Sequence, residues 1–308
     1  MDTNGSEYRY RARLGVLVVV SVLFAGCGGT SGDGAPPPQA AGGTGGGAGG
    51  SGGNAVEVAG APAAGGGGSP QACPGKAPAP VATTGRVDLP IQFMVNQSPM
   101  TIGTPAAGRT GLEYKFSAFE LFLAEPAFFD ANGQAFKGQI VASDGKPLPY
   151  GIQLVDADDP TTQSLHLAVP QGNYTSFKLG VGVPAGCNAV SSTDAVYPLN
   201  PDSQMFWTWG SQFLFIRVEG AERMPPATDF ANFFHHVGYD QAYTHLTLPG
   251  TISVGASGTG PILSIDLDLM LAGSASMSSV VPVPSGSHDV PDGWVVDNLE
   301  TQPVFTLR

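Results

Sequence analysis

Histidine, tryptophan and cysteine are the residues of this chain best suited to metal or redox chemistry, and they are not scattered evenly. Of five histidines, His235 and His236 are adjacent and His245 follows nine residues later, while His166 and His288 stand apart. Neutral imidazole is the commonest transition-metal ligand, so His236, His235 and His245 form a candidate ligand set. Trp207 and Trp209 are two of only three tryptophans. On extended backbone both project to one face, which suits either core packing or an aromatic platform for a sugar or other ligand. The cysteines are Cys27, Cys73 and Cys187. In an exported protein the last two are expected to pair as a disulfide, the competing reading being a copper thiolate at Cys187.

Other catalytic patterns are missing. There is no HExxH and no paired CxxC, which removes support for hydrolytic or structural zinc. Gly255-Ala256-Ser257-Gly258 falls short of a serine-nucleophile elbow. Asp156, Asp158 and Asp159 crowd one loop without the spacing of an EF-hand, so a solvated acidic turn is expected there. His166 alternates with Leu165 and Leu167 and reads as surface, and Asp266 and Asp268 read as the outer side of a strand. The protein is therefore expected not to be an enzyme. A net charge of −12 also argues against a nucleic-acid partner, because nothing here could neutralise a row of phosphates.

The elements that must hold these residues follow an address. Arg9, Arg11 and Arg13 precede the apolar run Leu14–Ala25, then Gly26 and Cys27. A basic region, a short apolar region and small residues make a secretory signal, and the run falls short of the ~20 residues of a membrane span. Leu23-Phe24-Ala25-Gly26-Cys27 resembles a lipobox, which predicts lipidation of Cys27. Gly28 rather than Asp follows it, so an outer-membrane lipoprotein facing the periplasm or cell surface is expected, touching the membrane only through its lipid. Residues 1–26 are then the signal peptide. Residues 27–85, mostly Gly, Ala, Pro, Ser and Thr over much of their length, cannot bury enough apolar surface to offset ordering entropy and read as a disordered tether.

Residues 86–308 read as one all-β domain, a single β-sandwich. Val87, Leu89, Ile91 and Phe93 alternate, as do Leu165, Leu167 and Val169, and Ile265, Leu267 and Leu269. Asn132-Gly133, Asp144-Gly145 and Pro249-Gly250 mark turns between strands. Phe116 to Phe129 reads as a buried strand pair broken at Pro126, and Phe213 to Val218 as another strand. The only helical signal is one turn over Asp229 to His236. Many short strands with Gly- and Pro-marked turns indicate a sandwich.

One segment adds a resemblance. Met205-Phe206-Trp207-Thr208-Trp209, preceded by Pro198-Leu199-Asn200 and followed by Phe213-Leu214-Phe215-Ile216-Arg217-Val218-Glu219-Gly220, resembles the signature of the MbnP family. Ala118 to Leu123, Val169 to Tyr174, Leu179 to Pro184 with Asn188, His236-Val237-Gly238 and Asn298-Leu299 resemble further family elements in the same order. These are exported copper-binding proteins encoded beside MbnH, a MauG-like di-haem partner. The resemblance implies a β-sandwich that binds Cu(I) through a histidine, with His236 first by motif position. It also implies that Trp207 or Trp209 is oxidised to kynurenine by the haem partner. The chain departs from the family's four-cysteine subgroup, having Tyr239-Asp240-Gln241 where a cysteine would stand. Without metal, the same aromatic pair would suit a carbohydrate-binding or adhesive surface module.

Overall fold

Alternation of apolar side chains sets the first strand and, through it, the first sheet. In the computed structural model Val87, Leu89, Ile91 and Phe93 point inward from β1 (Gly85–Val95). Asn96 and Gln97, both at positive φ, then turn the chain back as a two-residue hairpin onto β2 (Ser98–Pro99). The structure describes residues 72–81, 85–191, 193–206, 213–272 and 293–308. Cys27, the signal and most of the tether, Trp207, Trp209 and His288 lie outside the described residues.

The chain continues through β3 (Ala106–Ala107), β4 (Glu113–Phe129), β5 (Ala135–Lys137), β6 (Gln139–Ile140) and β7 (Ile152–Asp156). Next come β8 (Ser164–Val169), β9 (Gly172–Val181) and the short helix α1 (Ala185–Asn188). The order ends with β10 (Leu214–Arg223), β11 (Ala231–Gly238), β12 (Thr244–Val254), β13 (Leu263–Asp266), α2 (Leu267–Met270), α3 (Gly293–Thr301) and β14 (Phe305–Leu307). One sheet runs β14-β13-β1-β8-β6, and the other runs β11-β10-β4-β9-β12 with β3, β5 and β7 also on β4. Only β1 and β13 pair in parallel among the described strands. The fold is an all-β sandwich. Its layers meet through side chains such as Phe93 of β1 and Phe119 of β4, whose rings pack edge to face at 5.2 Å.

Three expectations need correcting. Phe116 to Phe129 is not a strand pair but part of one 17-residue strand, β4. Its pairing with β9 shifts register between Ala124 and Ala127, and Glu125 sits at φ 48. That irregularity absorbs Pro126, because a bulge leaves a backbone position outside the ladder and so tolerates the missing N–H. Asp229 to His236 holds no helical turn; residues 231–238 are strand β11, paired along β10. Its Phe-Phe-His-His run hides the alternation, since an edge strand carries aromatic and polar groups on both faces. Asp266 and Asp268 are not on an outer face. Both are buried, because β13 stops at Asp266, whose carboxylate caps α2 through the backbone N–H groups of Asp268 and Leu269.

Residues 72–81 lie against the domain ahead of β1. Cys73 is disulfide-bonded to Cys187 of α1, 114 positions away. The backbone N–H of Tyr150 donates to the Gly75 carbonyl at 2.7 Å. Gln139 donates to the Ala79 carbonyl and accepts from the Val81 N–H, at 2.9 and 3.0 Å. Among the described residues no helix is long and apolar enough to cross a membrane.

Candidate functional site

The larger sheet has an outer face that is partly roofed by the chain itself. Residues 120–124 of β4 pair with β7 on one edge. Residues 113–121 pair with β10, and 123–129 with β9, so those two strands lie end to end along the opposite edge. β11 extends the sheet beyond β10, and β12 extends it beyond β9. The chain leaves this edge at Val181, beside Leu123, and returns into β10, whose Ile216 pairs with Leu121. The described residues between, 182–191 and 193–206, are an excursion from the sheet.

Alternation shows which face it covers. Glu120 points outward and is partly exposed, so Phe122 points outward too, and Phe215, at the irregularity between Leu214 and Ile216, lies on the same side as Gly182. Yet both phenylalanines are 0 % exposed. Gly182, at φ 108, lies against the Phe215 ring so closely that a Cβ there would come within 2.5 Å of it. Both the left-handed backbone and the close approach require glycine. Val183, Cys187, Leu199 and Met205 of the excursion are buried in the same cluster. The feet of the Trp-x-Trp span are fixed as well. Phe206 and Phe213 form an antiparallel bridge with ring centroids 5.8 Å apart, and the Leu214 N–H donates to the Met205 carbonyl at 3.0 Å. Residues 207–212, including Trp207 and Trp209, lie beyond the described residues.

The histidines divide by face. His235 shares the inner side of β11 with Phe233, on which its ring stacks at 5.6 Å. His236 is on the outer side with Phe234. Adjacent strand residues face opposite ways, so the structure does not bring His235 and His236 to one ion. His245 is on the outer side of β12, opposite Gly180, and Gly180 in turn pairs with Ala124. His236 pairs with Arg217, and Arg217 with Glu120. The two outer histidines thus stand about four residue rises apart, roughly 13 Å along the strand direction, and flank the point where the excursion leaves and re-enters the sheet.

Each outer histidine is backed by a carboxylate. His236 Nε2 lies 2.9 Å from Glu219 Oε1, and Arg217 donates to both Glu219 oxygens and to Glu120. The His236 hydrogen bond, together with Arg217, holds the Glu219 carboxyl down at about 2 against the effect of burial. Its folded value lies below its ordinary one. The stabilisation it gives is therefore present above the ordinary carboxylate range and disappears as pH falls toward about 2. Glu120 goes the other way: burial raises it despite Arg217. His245 Nε2 lies 2.9 Å from Glu125 Oε2, which also accepts from the Tyr243 hydroxyl at 2.7 Å. The His245 hydrogen bond lowers Glu125, while burial raises the Tyr243 hydroxyl.

His166 is only partly exposed, its Nδ1 2.7 Å from Asp88, its cross-strand neighbour on β1 of the smaller sheet. Asp156 and Asp159 bond within their own turn, Asp159 capping the following turn through the Thr161 N–H. Among the described residues no group of three or more His, Cys, Asp or Glu comes together as a metal site. Cys187, being disulfide-bonded, presents no thiolate to a soft ion. Sequence reasoning missed Glu125, and it named Glu219 and Asn188 only within the family-like segments, not as partners of the site. Arg217 and Glu219, two apart on one strand, were the available signal for an outward charged row; nothing local marked Glu125 or the partners of Asn188.

A family model described as MbnP matches residues 84–279, from the start of the sandwich past α2. Among solved structures, MbnP from Methylosinus trichosporium is similar at 17 % sequence identity with a TM-score of 0.42, covering 60 % of this chain and 76 % of that one. Among curated proteins none matches the chain.

Proposed function

The chain belongs to the MbnP family, and on that premise we propose that it is an exported copper-binding protein holding Cu(I) through His236 and a kynurenine made from Trp207 or Trp209. One observation carries the reading. His236, backed by a carboxylate, lies on the outer face and at the strand end where the Trp-bearing excursion is anchored.

The donor set fits a soft ion. Metal-bound imidazole typically donates its other N–H to a carboxylate, which fixes the tautomer and raises ligand basicity. The contact of His236 Nε2 with Glu219 Oε1 at 2.9 Å supplies such a carboxylate. Intact indole offers an N–H donor and no in-plane lone pair. Oxidative cleavage of its C2–C3 bond, with two oxygen atoms inserted and C2 then released by hydrolysis as formate, leaves an aniline nitrogen and a ketone, converting an inert side chain into a ligand for Cu(I). A MauG-like di-haem partner of the MbnH type would catalyse the step, with two equivalents of peroxide as the oxidant reduced to water. His245, also backed by a carboxylate, is the second candidate; His235 faces away. The protein carries cargo and is not itself an enzyme.

Cu(I) titration of protein co-expressed with the di-haem partner tests this. His236→Ala should weaken binding ~10-fold or more, with only a small fall in melting temperature from the lost hydrogen bond to the partly exposed Glu219, and wild-type affinity should fall as pH falls, because protons compete for the ligands. Undiminished affinity in that variant would contradict the assignment.

Lipidation of Cys27 completes the reading, holding the domain at the outer membrane on its Gly-rich tether. Cys27→Ala should move the protein from the membrane fraction to the soluble one. Unaltered partitioning would remove the anchor from the account.

A further inference from the structure

We infer that Asn188 is a positioning residue that holds the Trp-bearing excursion in register with the strands carrying His236 and His245. This rests on the copper reading above and deepens it.

Asn188 ends α1, immediately after the disulfide-bonded Cys187, and is 2 % exposed. The oxygen and the nitrogen of its one amide face two different elements. Oδ1 accepts from the backbone N–H of Phe213 at 3.1 Å, and Nδ2 donates to Asp240 Oδ1 at 2.8 Å. Phe213 is the C-terminal foot of the Trp-x-Trp span, bridged to Phe206. Asp240 lies in the short connection, residues 239–243, between β11 and β12, and therefore between His236 and His245. One buried amide consequently ties the base of the modified loop to the link between both candidate ligand strands. A buried amide must have partners for donor and acceptor, so this geometry is enforced by desolvation. The neighbouring Cys73–Cys187 bond also pins α1. Asparagine suits the place because one planar group supplies a donor and an acceptor at once.

Reversing the polarity of the pair tests the inference. Asn188→Asp keeps the acceptor for Phe213 but sets two carboxylates against each other at Asp240. Asp240→Asn alone keeps an acceptor for Asn188, and the double variant restores one donor and one acceptor in the opposite sense. Hydrogen exchange reads the clamp without copper. Asn188→Asp should speed exchange in peptides covering 205–216 and 237–243 together, leave β1 and β8 unchanged, and be reversed in the double variant. Cu(I) affinity of the co-expressed protein should fall about 10–100-fold in Asn188→Asp and recover in the double variant, with Asp240→Asn close to wild type. Should Asn188→Asp fail to fold, Asn188→Ser, which retains an acceptor near Phe213, should loosen 237–243 first. In Asn188→Asp, exchange that changes in one peptide without the other, or a double variant no better than it, overturns the inference; in Asn188→Ser, loosening of 205–216 ahead of 237–243 does. A clamp that behaves as described in a wild-type protein that binds no Cu(I) would overturn the functional reading and leave the structural joint standing.

Discussion

Arg109→Ala is expected to lower the stability of the domain by about 3–5 kcal/mol. Asp266 and Asp268 have side chains only 5 % and 4 % exposed, and Arg109 bonds to both, at 2.6 and 2.8 Å. Its backbone N–H also donates to Asp268 at 2.9 Å. Hydrogen bonding to Asp266 raises the already high guanidinium value further, so the group stays charged. Removing the cation leaves two carboxylates in a site with little water to solvate them, and one of them also caps α2. Lys146→Ala is the contrast. It breaks an equally short pair with Asp144 at 2.7 Å, but with side chains 83 % and 51 % exposed, and should leave denaturant unfolding unchanged. Equal effects of the two substitutions would show that burial is not what gives the Arg109 cluster its weight.

Removing the disulfide should cost about as much by a different route. The bond closes a loop of 114 residues, which in the chain-entropy picture is worth about 4–5 kcal/mol through the unfolded state. For a domain of this size that corresponds to a fall in melting temperature on the order of 10 °C. The double variant Cys73→Ser/Cys187→Ser avoids stray thiols. It should also release the segment 72–81, which then relies on the Tyr150 and Gln139 hydrogen bonds alone. Limited proteolysis should cut near residue 76 in the variant and not in the oxidised protein. A melting shift under about 2 °C would mean the unfolded chain is already restricted in that region.

The sandwich was legible where one face of a strand is apolar and the other is not. Ser164 to Val169 is strand β8 as read, with Leu165, Leu167 and Val169 inward. Where a strand is covered on both faces, the pattern loses its period: β4 runs apolar from Leu121 to Ala124 because the excursion buries Phe122 on the far side. Asp266 misled because alternation was carried one residue too far. Ser264-Ile265-Asp266-Leu267 contains an N-cap, and a helix start there turns Asp268 inward. Half of the candidate site was readable in the same sense. Residue type singled out His236 and His245, but their carboxylate partners come from 17 and 120 positions away, a separation no local pattern encodes. Only strand register shows that His235 turns its back on its neighbour.

Peptide mass spectrometry across Trp207 and Trp209, in protein made with and without the di-haem partner, decides whether a kynurenine is there to hold copper. Without the partner both tryptophans should be intact and copper weakly held. With it, one of the two should carry the mass of kynurenine, and that preparation should be the one that retains Cu(I). Two unmodified tryptophans in protein co-expressed with an active partner would contradict the account.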